Sequence, residues 1–235
     1  MGLLYIIGTP IGNLGDLSRR AAEAFGAADL VACEDTRVTL RLLNHLKIKK
    51  PLLSCRAHNE NAAAGRLVAA LDEGKTIAYA SDAGTPGLSD PGAALAAAAS
   101  EAGHTVLPIP GPSAFAALVS VAGGRDKTVI FEGFLSPRAG RRRSRLRELL
   151  DTGWAFVLYE SPFRVFKLLS DLADLEGGRR ICLGREMTKL HEEYLRGSAA
   201  EILAVLAQKE AQKGEFALYI GGGTEKLLHT TANKR

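Results

Sequence analysis

The stretch Ala80–Gly92, ASDAGTPGLSDPG, begins where the short apolar run Thr76–Ala80 ends, and it holds three Gly, two Pro, two Asp and two Ser. That is more backbone-shaping chemistry than a surface turn of a few residues requires. An apolar run, a loaded loop and then the Ala-rich stretch Pro91–Ala102 read as strand, functional loop and helix. The unit recurs. Apolar runs at Leu3–Ile7, Asp29–Cys33, Pro51–Cys55, Thr76–Ala80 and Thr105–Ile109 alternate with helical candidates at Asp16–Phe25, Thr36–His45, Asn59–Leu71, Pro91–Ala102 and Ser113–Val121. Such alternation predicts an α/β fold with a mostly parallel sheet and helices on both faces.

Past Gly92 and its helix, the Gly-rich, charged segment Ala122–Lys127, AGGRDK, reads as a linker. A second series follows it. Strands are expected near Val129–Phe134, Ala155–Tyr159, Arg180–Leu183 and Phe216–Ile220, with a further one at Glu192–Arg196 and antiparallel members allowed. Helices are expected near Arg141–Leu150, Pro162–Leu172 and Ala199–Lys209. The expectation is two α/β domains, 1–122 and 123–223, then a polar tail, 224–235.

The two edges of the first sheet differ in chemistry. Turns entering strands are plain (GAAD, KIKKP, DEGK, EAGH), whereas turns leaving them are loaded: GTPIGN, EDTR, RAHNE, SDAGTPGLSDPG and PGPSA. Ligands of open α/β sheets bind beyond the carboxyl ends of the strands, where loop amides and helix N-termini point. Gly and Pro let backbone groups approach a small molecule without side chains intervening. Part of the loading is helix capping, with Ser113 and Asp90 each placed to cap the helix that follows. Capping needs one residue, not a dozen.

Several ligand classes are excluded. Gly8, Gly12 and Gly15 have the wrong spacing for a dinucleotide fingerprint, and no GxxxxGK phosphate loop follows any strand. There is no HExxH, and no GxSxG elbow. The 235 residues are 46% hydrophobic and 24% charged with net charge +4, a mild basic bias that permits an anionic partner. The three cysteines, Cys33, Cys55 and Cys182, form no CxxC pair and read as buried free thiols. The N-terminal apolar run is too short for a signal or a membrane span, so a cytoplasmic protein without a membrane partner is expected. A ligand held mostly by backbone suits an adenosine-type cofactor lacking phosphates.

In order and spacing, YIIGTPIGNLGDLSRRA, ACEDTR, ASDAGTPGLSDPG, PIPGPSA, YESPFR and REMTKLHEE resemble the tetrapyrrole-methylase superfamily. Within it they resemble the branch that methylates the ribose 2′-hydroxyl of a cytidine in 16S ribosomal RNA. The likeness spans about Leu3 to Gly223. It implies S-adenosylmethionine in a cleft between two α/β domains, no metal, a homodimer, and 16S ribosomal RNA or the small ribosomal subunit as partner. Carried over by motif, the cofactor residues would be Pro10, Asp82, Ala83, Gly84, Thr85, Ser113 and Ala114, with Tyr159 and Glu160 from the second domain. Many such enzymes continue into a small extra segment, where TEKLLHTTANKR reads here as a short polar tail.

Transfer to a ribose oxygen needs alignment and a group that takes the hydroxyl proton or steadies the developing charge. Candidates are Glu34, Asp35 and Arg37, then His58, Asn59 and Glu60, and in the second domain Arg185, Glu186 and Lys189. An ion-pair network with Asp35 and Asn59 capping helices would account for the same residues. Ser136–Arg147, SPRAGRRRSRLR, carries six Arg and no acid. Arg138, Arg141, Arg142, Arg143 and Arg145, with Arg185, suit phosphate contacts, although a solvated helix face has the same composition. Phe134, Trp154, Phe163 and Phe166 offer stacking surface or core packing. The rival functions are a methylase of a tetrapyrrole or other small acceptor, and a non-catalytic RNA-binding assembly module.

Overall fold

A computed structural model of the protein describes residues 1–56, 60–209 and 213–223, with residues 60 and 61 described by their backbone alone. His58, Asn59 and the tail 224–235 therefore lie outside the described residues. The chain divides into two compact units, Met1–Ser113 and Ala114–Arg235.

The first unit runs β1 (Leu3–Ile7), a 3₁₀ turn (Leu14–Asp16), α1 (Arg19–Ala27), β2 (Leu30–Cys33), α2 (Thr36–His45), β3 (Leu52–Ser54), α3 (Glu60–Asp72), β4 (Thr76–Ala80), α4 (Ala93–Glu101) and β5 (Thr105–Ile109). All its strand pairs are parallel, in the order β3-β2-β4-β1-β5. Alternate side chains leave opposite faces of a strand, and two cores follow from that. Leu4, Ala32, Ile77 and Tyr79 pack with Leu67, Leu71 and Leu95 of α3 and α4. Ile7, Val31, Ala78 and Ala80 pack with Phe25 and Leu43 of α1 and α2 on the other side. Asp35 caps α2 as expected, its Oδ1 accepting the Arg37 amide at 2.8 Å. Asp90 does not cap α4. Gly92 occupies that position at φ +134°, with no side-chain bond, because Pro91 and Gly92 carry the chain onward before the helix starts.

The second unit runs α5 (Ala114–Ala122), β6 (Val129–Phe134), α6 (Ala139–Asp151), β7 (Ala155–Glu160), α7 (Val165–Glu176), β8 (Ile181–Arg185), β9 (Glu193–Gly197), α8 (Ala199–Gln208) and β10 (Phe216–Ile220). Its sheet order is β6-β7-β10-β8-β9, where β6–β7 is parallel and the other pairs are antiparallel. Phe156, Leu158, Leu183, Leu218 and Ile220 form its core with Leu146, Leu168 and Ile202 from the helices. The expected boundary after residue 122 moves to Ser113. The reason is α5, whose apolar face packs on β8 and β10 of its own unit. The segment AGGRDK is accordingly part of that unit: Tyr219 donates its hydroxyl to Asp126, and Arg196 Nη2 donates to the Val121 carbonyl at 2.7 Å.

Cys33, Cys55 and Cys182 are buried free thiols. Burial pushes the Cys33 and Cys182 thiols above their ordinary range. No described helix is long and apolar enough to cross a membrane.

Candidate active site

The carboxyl edge of the first sheet is built from loops tied to one another. The Gly8 amide donates to Ile109 at 3.0 Å, which draws the loop after β1 against the loop after β5. There the backbones cross so closely that a Cβ on Gly111 would lie 2.4 Å from the Gly8 carbonyl oxygen. Only glycine fits such a crossing. The next residue, Thr9, exchanges amide bonds of 2.9 and 3.0 Å with Gly84, whose φ of +77° suits glycine. The Thr9 hydroxyl donates to Ser81 O at 3.3 Å, and that of Thr85 to Pro112 O at 3.3 Å. The Asp82 carboxylate accepts the Asp35 amide at 2.9 Å, joining the loop after β4 to the start of α2. Loops after β1, β2, β4 and β5 thus form one edge. Asp82, Ala83, Gly84, Thr85 and Ser113 belong to it, Pro10 follows the Thr9 bridge, and Ala83 and Thr85 are exposed. Ala114 is the first residue of the second unit.

Negative charge crowds this edge. Burial and the neighbouring Asp82 carboxylate push Glu34 up, partly offset by a hydrogen bond from the Asp82 backbone. Burial and Asp82 also push Asp90 up, against a hydrogen bond with Ser81. Asp35 moves the other way. Arg37 grips it through Nη2 at 2.5 Å and Nε at 3.0 Å, holding its carboxyl well below the usual range. Arg56 stands 3.9 Å from Asp35 and donates to the Glu34 carbonyl at 3.4 Å. Glu60 heads α3 by its backbone. Among the described residues no three His, Cys, Asp or Glu come together as metal ligands.

In the second unit Tyr159 and Glu160 end β7. Tyr159 packs edge-to-face on Phe131 and Phe134, with ring centroids 5.1 and 5.8 Å apart. Glu160 is 2% exposed and accepts from the Ser161 amide and Arg164, each at 2.7 Å, so it braces the start of α7. Lys189 meets Glu186 at 3.0 Å and Glu215 at 3.1 Å. Burial alone would lower its ammonium, but the two carboxylates raise it, so Lys189 stays charged rather than serving as a base. Arg185 donates to Lys213 O at 3.0 Å and lies 3.6 Å from Glu193.

The arginine run is divided by its partners. Arg142, 5% exposed, binds Asp171 at 2.7 Å; Arg143 binds Asp171 at 2.6 Å and Asp174 at 3.0 Å. Arg145 pairs with Glu132 at 2.7 Å and Glu148 at 2.8 Å. These three guanidinium groups anchor α6 to α7 and β6. Arg138 and Arg141 are exposed. Of the aromatic candidates Phe134, Trp154 and Phe163 are exposed, whereas Phe166 packs on the core. Sequence reasoning missed Gly8, Thr9 and Gly111 as builders of the edge. The signal available was the pair GTP and PGP, a glycine within two residues of a proline at the end of two strands.

Residues 3–203 match the family model described as Tetrapyrrole (Corrin/Porphyrin) Methylases. The chain is 46% identical over 219 residues to "Ribosomal RNA small subunit methyltransferase I" of Borrelia garinii subsp. bavariensis, covering 93% of this chain and 98% of that protein. It is 42% identical to the protein of that name from Thermotoga maritima (94% and 99% covered). The protein of that name from Synechocystis is 43% identical (95% and 80% covered). Among solved structures the methyltransferase CobJ superposes with a TM-score of 0.68 at 20% identity, over 94% of this chain and 95% of that one. Uroporphyrin-III-C-methyltransferase from Thermus thermophilus gives 0.64 at 18%, over 94% of each. At these identities the two structures speak for the fold.

Proposed function

Because the chain belongs to the tetrapyrrole (corrin/porphyrin) methylases, we propose that it methylates the ribose 2′-hydroxyl of a cytidine in 16S ribosomal RNA, with S-adenosylmethionine bound at the carboxyl edge of the first sheet. The chain is a methyltransferase, and its RNA substrate is supported by 46% identity to a ribosomal RNA small subunit methyltransferase across 98% of that relative. The observation that carries the cofactor reading is the four-loop edge itself. It offers the exposed backbone of Ala83 and Thr85 on either side of Gly84, whose own amide and carbonyl hold the Thr9 bridge, and no phosphate loop. Its crowded carboxylates Glu34, Asp82 and Asp90 favour a ligand bearing positive charge, as a sulfonium does.

When bound, S-adenosylmethionine supplies an electrophilic methyl group on a sulfonium centre. The chain's residues do the rest. Asp82, Ala83, Gly84, Thr85, Pro10, Ser113 and Ala114 hold the nucleoside portion through backbone and small polar groups. In the second unit Tyr159 is held at the end of β7 against Phe131 and Phe134, and Glu160 fixes the turn that follows it. Glu34 takes the hydroxyl proton: among the described candidates it is the carboxylate with raised proton affinity, whereas Asp35 is lowered. Arg138 and Arg141 contact RNA phosphates, whereas Arg185 is engaged by Lys213 O and Glu193, and exposed Phe163 stacks on a base. The working unit is a homodimer in the cytoplasm, and sedimentation equilibrium at micromolar protein tests the pairing.

The test is incubation with methyl-labelled S-adenosylmethionine and either small-subunit ribosomal RNA or a tetrapyrrole precursor. Label enters the RNA. Label in the tetrapyrrole alone, or cofactor binding without transfer to either acceptor, overturns the reading.

A further inference from the structure

We propose that the second unit carries a phosphate-binding cleft, at the end of its sheet opposite the Tyr159–Glu160 loop, that holds a strand of the RNA substrate; this rests on the RNA reading above. The cleft is a cavity of about 860 Å³ lined by residues 122–126, the turn Gly178–Arg180, the start of β8, and the ends of β9 and β10. In this sheet the amino end of β10 lies against Glu160, because Phe216 pairs with Glu160 and Ile220 with Phe156. The cleft therefore sits at the opposite end of the strands from the Tyr159–Glu160 loop. None of its lining residues was singled out as a site by motif.

Two features of the lining point to phosphate. The first is bare backbone. Seven of the lining residues are glycines, among them the pair Gly123–Gly124 and the run Gly221–Gly223. The rim enforces some of them: a Cβ on Gly124 would lie 2.1 Å from the Tyr219 hydroxyl, and one on Gly222 would lie 2.4 Å from Asp126. Backbone without side chains lets phosphate oxygens approach amide groups directly.

The second feature is charge that the protein does not use. Four arginines face two acids in the lining, a net two positive charges. Arg179 is internally satisfied: it binds Glu176 at 3.0 Å, Leu150 O at 2.7 Å and Gly221 O at 2.9 Å, and so fixes the turn after β10. Asp126 is held by Tyr219. Arg196 uses one amino group on Val121 O, at 2.7 Å. Arg125 and Arg180 are exposed, and their guanidinium groups have no hydrogen-bond or ion-pair partner among the described residues; only the Arg180 carbonyl is engaged, accepting the Gly221 amide at 2.8 Å. This contrasts with Arg142, Arg143 and Arg145, whose charge is committed to carboxylates. Free planar guanidinium groups beside bare backbone match a phosphodiester, which accepts two parallel N–H bonds from one arginine. The cavity admits a nucleotide-sized group rather than a lone ion.

The experiment is binding of the full chain to small-subunit ribosomal RNA, by fluorescence anisotropy across a salt series. The proteins compared are wild type, the double variant Arg125→Gln/Arg180→Gln, and a charge-matched control, Arg20→Gln/Lys49→Gln, at exposed positions of the first unit. Neither substitution in the cleft removes a side-chain hydrogen bond or ion pair within the described residues, so the fold persists, and the unfolding temperature checks it. The cleft variant binds RNA on the order of tenfold more weakly near 0.1 M salt, and its log–log salt slope is shallower by about 1.4, as two lost single-strand phosphate contacts require. The control stays within about twofold of wild type. Unchanged affinity and slope in the cleft variant, with a wild type that methylates RNA, overturns the cleft and leaves the function standing. An equal loss in the control also overturns it, because only net charge is then at work. A wild type that neither binds nor methylates RNA overturns the functional reading instead.

Discussion

Replacing Gly111 by Ala tests whether the candidate site stands on a backbone crossing. The added Cβ would lie 2.4 Å from the Gly8 oxygen and 2.6 Å from its carbonyl carbon. Both are backbone atoms at the end of a central strand, so neither yields as a flexible side chain would. Relief requires the loops after β1 and β5 to part. Parting breaks the 3.0 Å bond from Gly8 to Ile109 and strains the Thr9–Gly84 bridge next to it. Two to three backbone hydrogen bonds at about 1 kcal/mol each, plus overpacking of about 1–3 kcal/mol, give roughly 3–6 kcal/mol lost. Urea unfolding followed by circular dichroism measures that loss. Calorimetry on the folded variant measures S-adenosylmethionine affinity, which falls on the order of tenfold or more, because Gly84 moves with Thr9. A variant within about 0.5 kcal/mol of wild type, with unchanged affinity, would refute both the crossing and its role.

Gly65→Ala is the contrasting case: Gly65 lies inside α3 with nothing within 4 Å of an added Cβ, so the same unfolding assay shows a gain of about 0.5–1 kcal/mol. Asp90→Asn raises the unfolding temperature at neutral pH. The native state holds the Asp90 proton more tightly than the unfolded chain does, so stability falls as pH rises from the ordinary carboxylate range through the raised native value; the advantage of the variant shrinks to nothing near pH 3, where both states are protonated. Asp171→Ala leaves Arg142 buried without its carboxylate and costs roughly 3–5 kcal/mol, whereas Arg142→Leu/Asp171→Leu, which removes the pair, recovers most of that by urea midpoint.

Where a sequence signal is local, it was readable. Asp35 before Thr36–His45 carries both cap and helix, and the five strands of the first sheet appear as five apolar runs, most plainly the inner strands β2 and β4, which are buried on both faces. Local reading misplaced the break between units, since a Gly-rich stretch looks like a linker until Tyr219 is seen bonded to Asp126 within it and Arg196 to Val121 O just before it. It also overcounted the arginine run. The acids that engage Arg142, Arg143 and Arg145 come from α7, from β6 and from the next turn of α6, most of them far from the run in sequence. The candidate edge was legible as loaded loops, but not the glycine crossing that joins them, which depends on strand order β4-β1-β5. The cleft of the second unit was hidden for the same reason. Its glycines and arginines sit beside one another as GGR, GGRR and GGG in three places that only the sheet brings together.

The most direct test of the account is a mass-spectrometric map of ribose methylation in small-subunit ribosomal RNA, treated with S-adenosylmethionine and either wild-type protein or the Glu34→Gln variant. The account predicts one new 2′-O-methyl group, on a cytidine, with wild type, and a rate reduced on the order of a hundredfold or more with the variant, the scale of a lost general base. A methyl group on a base, no methylation by the folded wild type, or an undiminished rate in Glu34→Gln would contradict it.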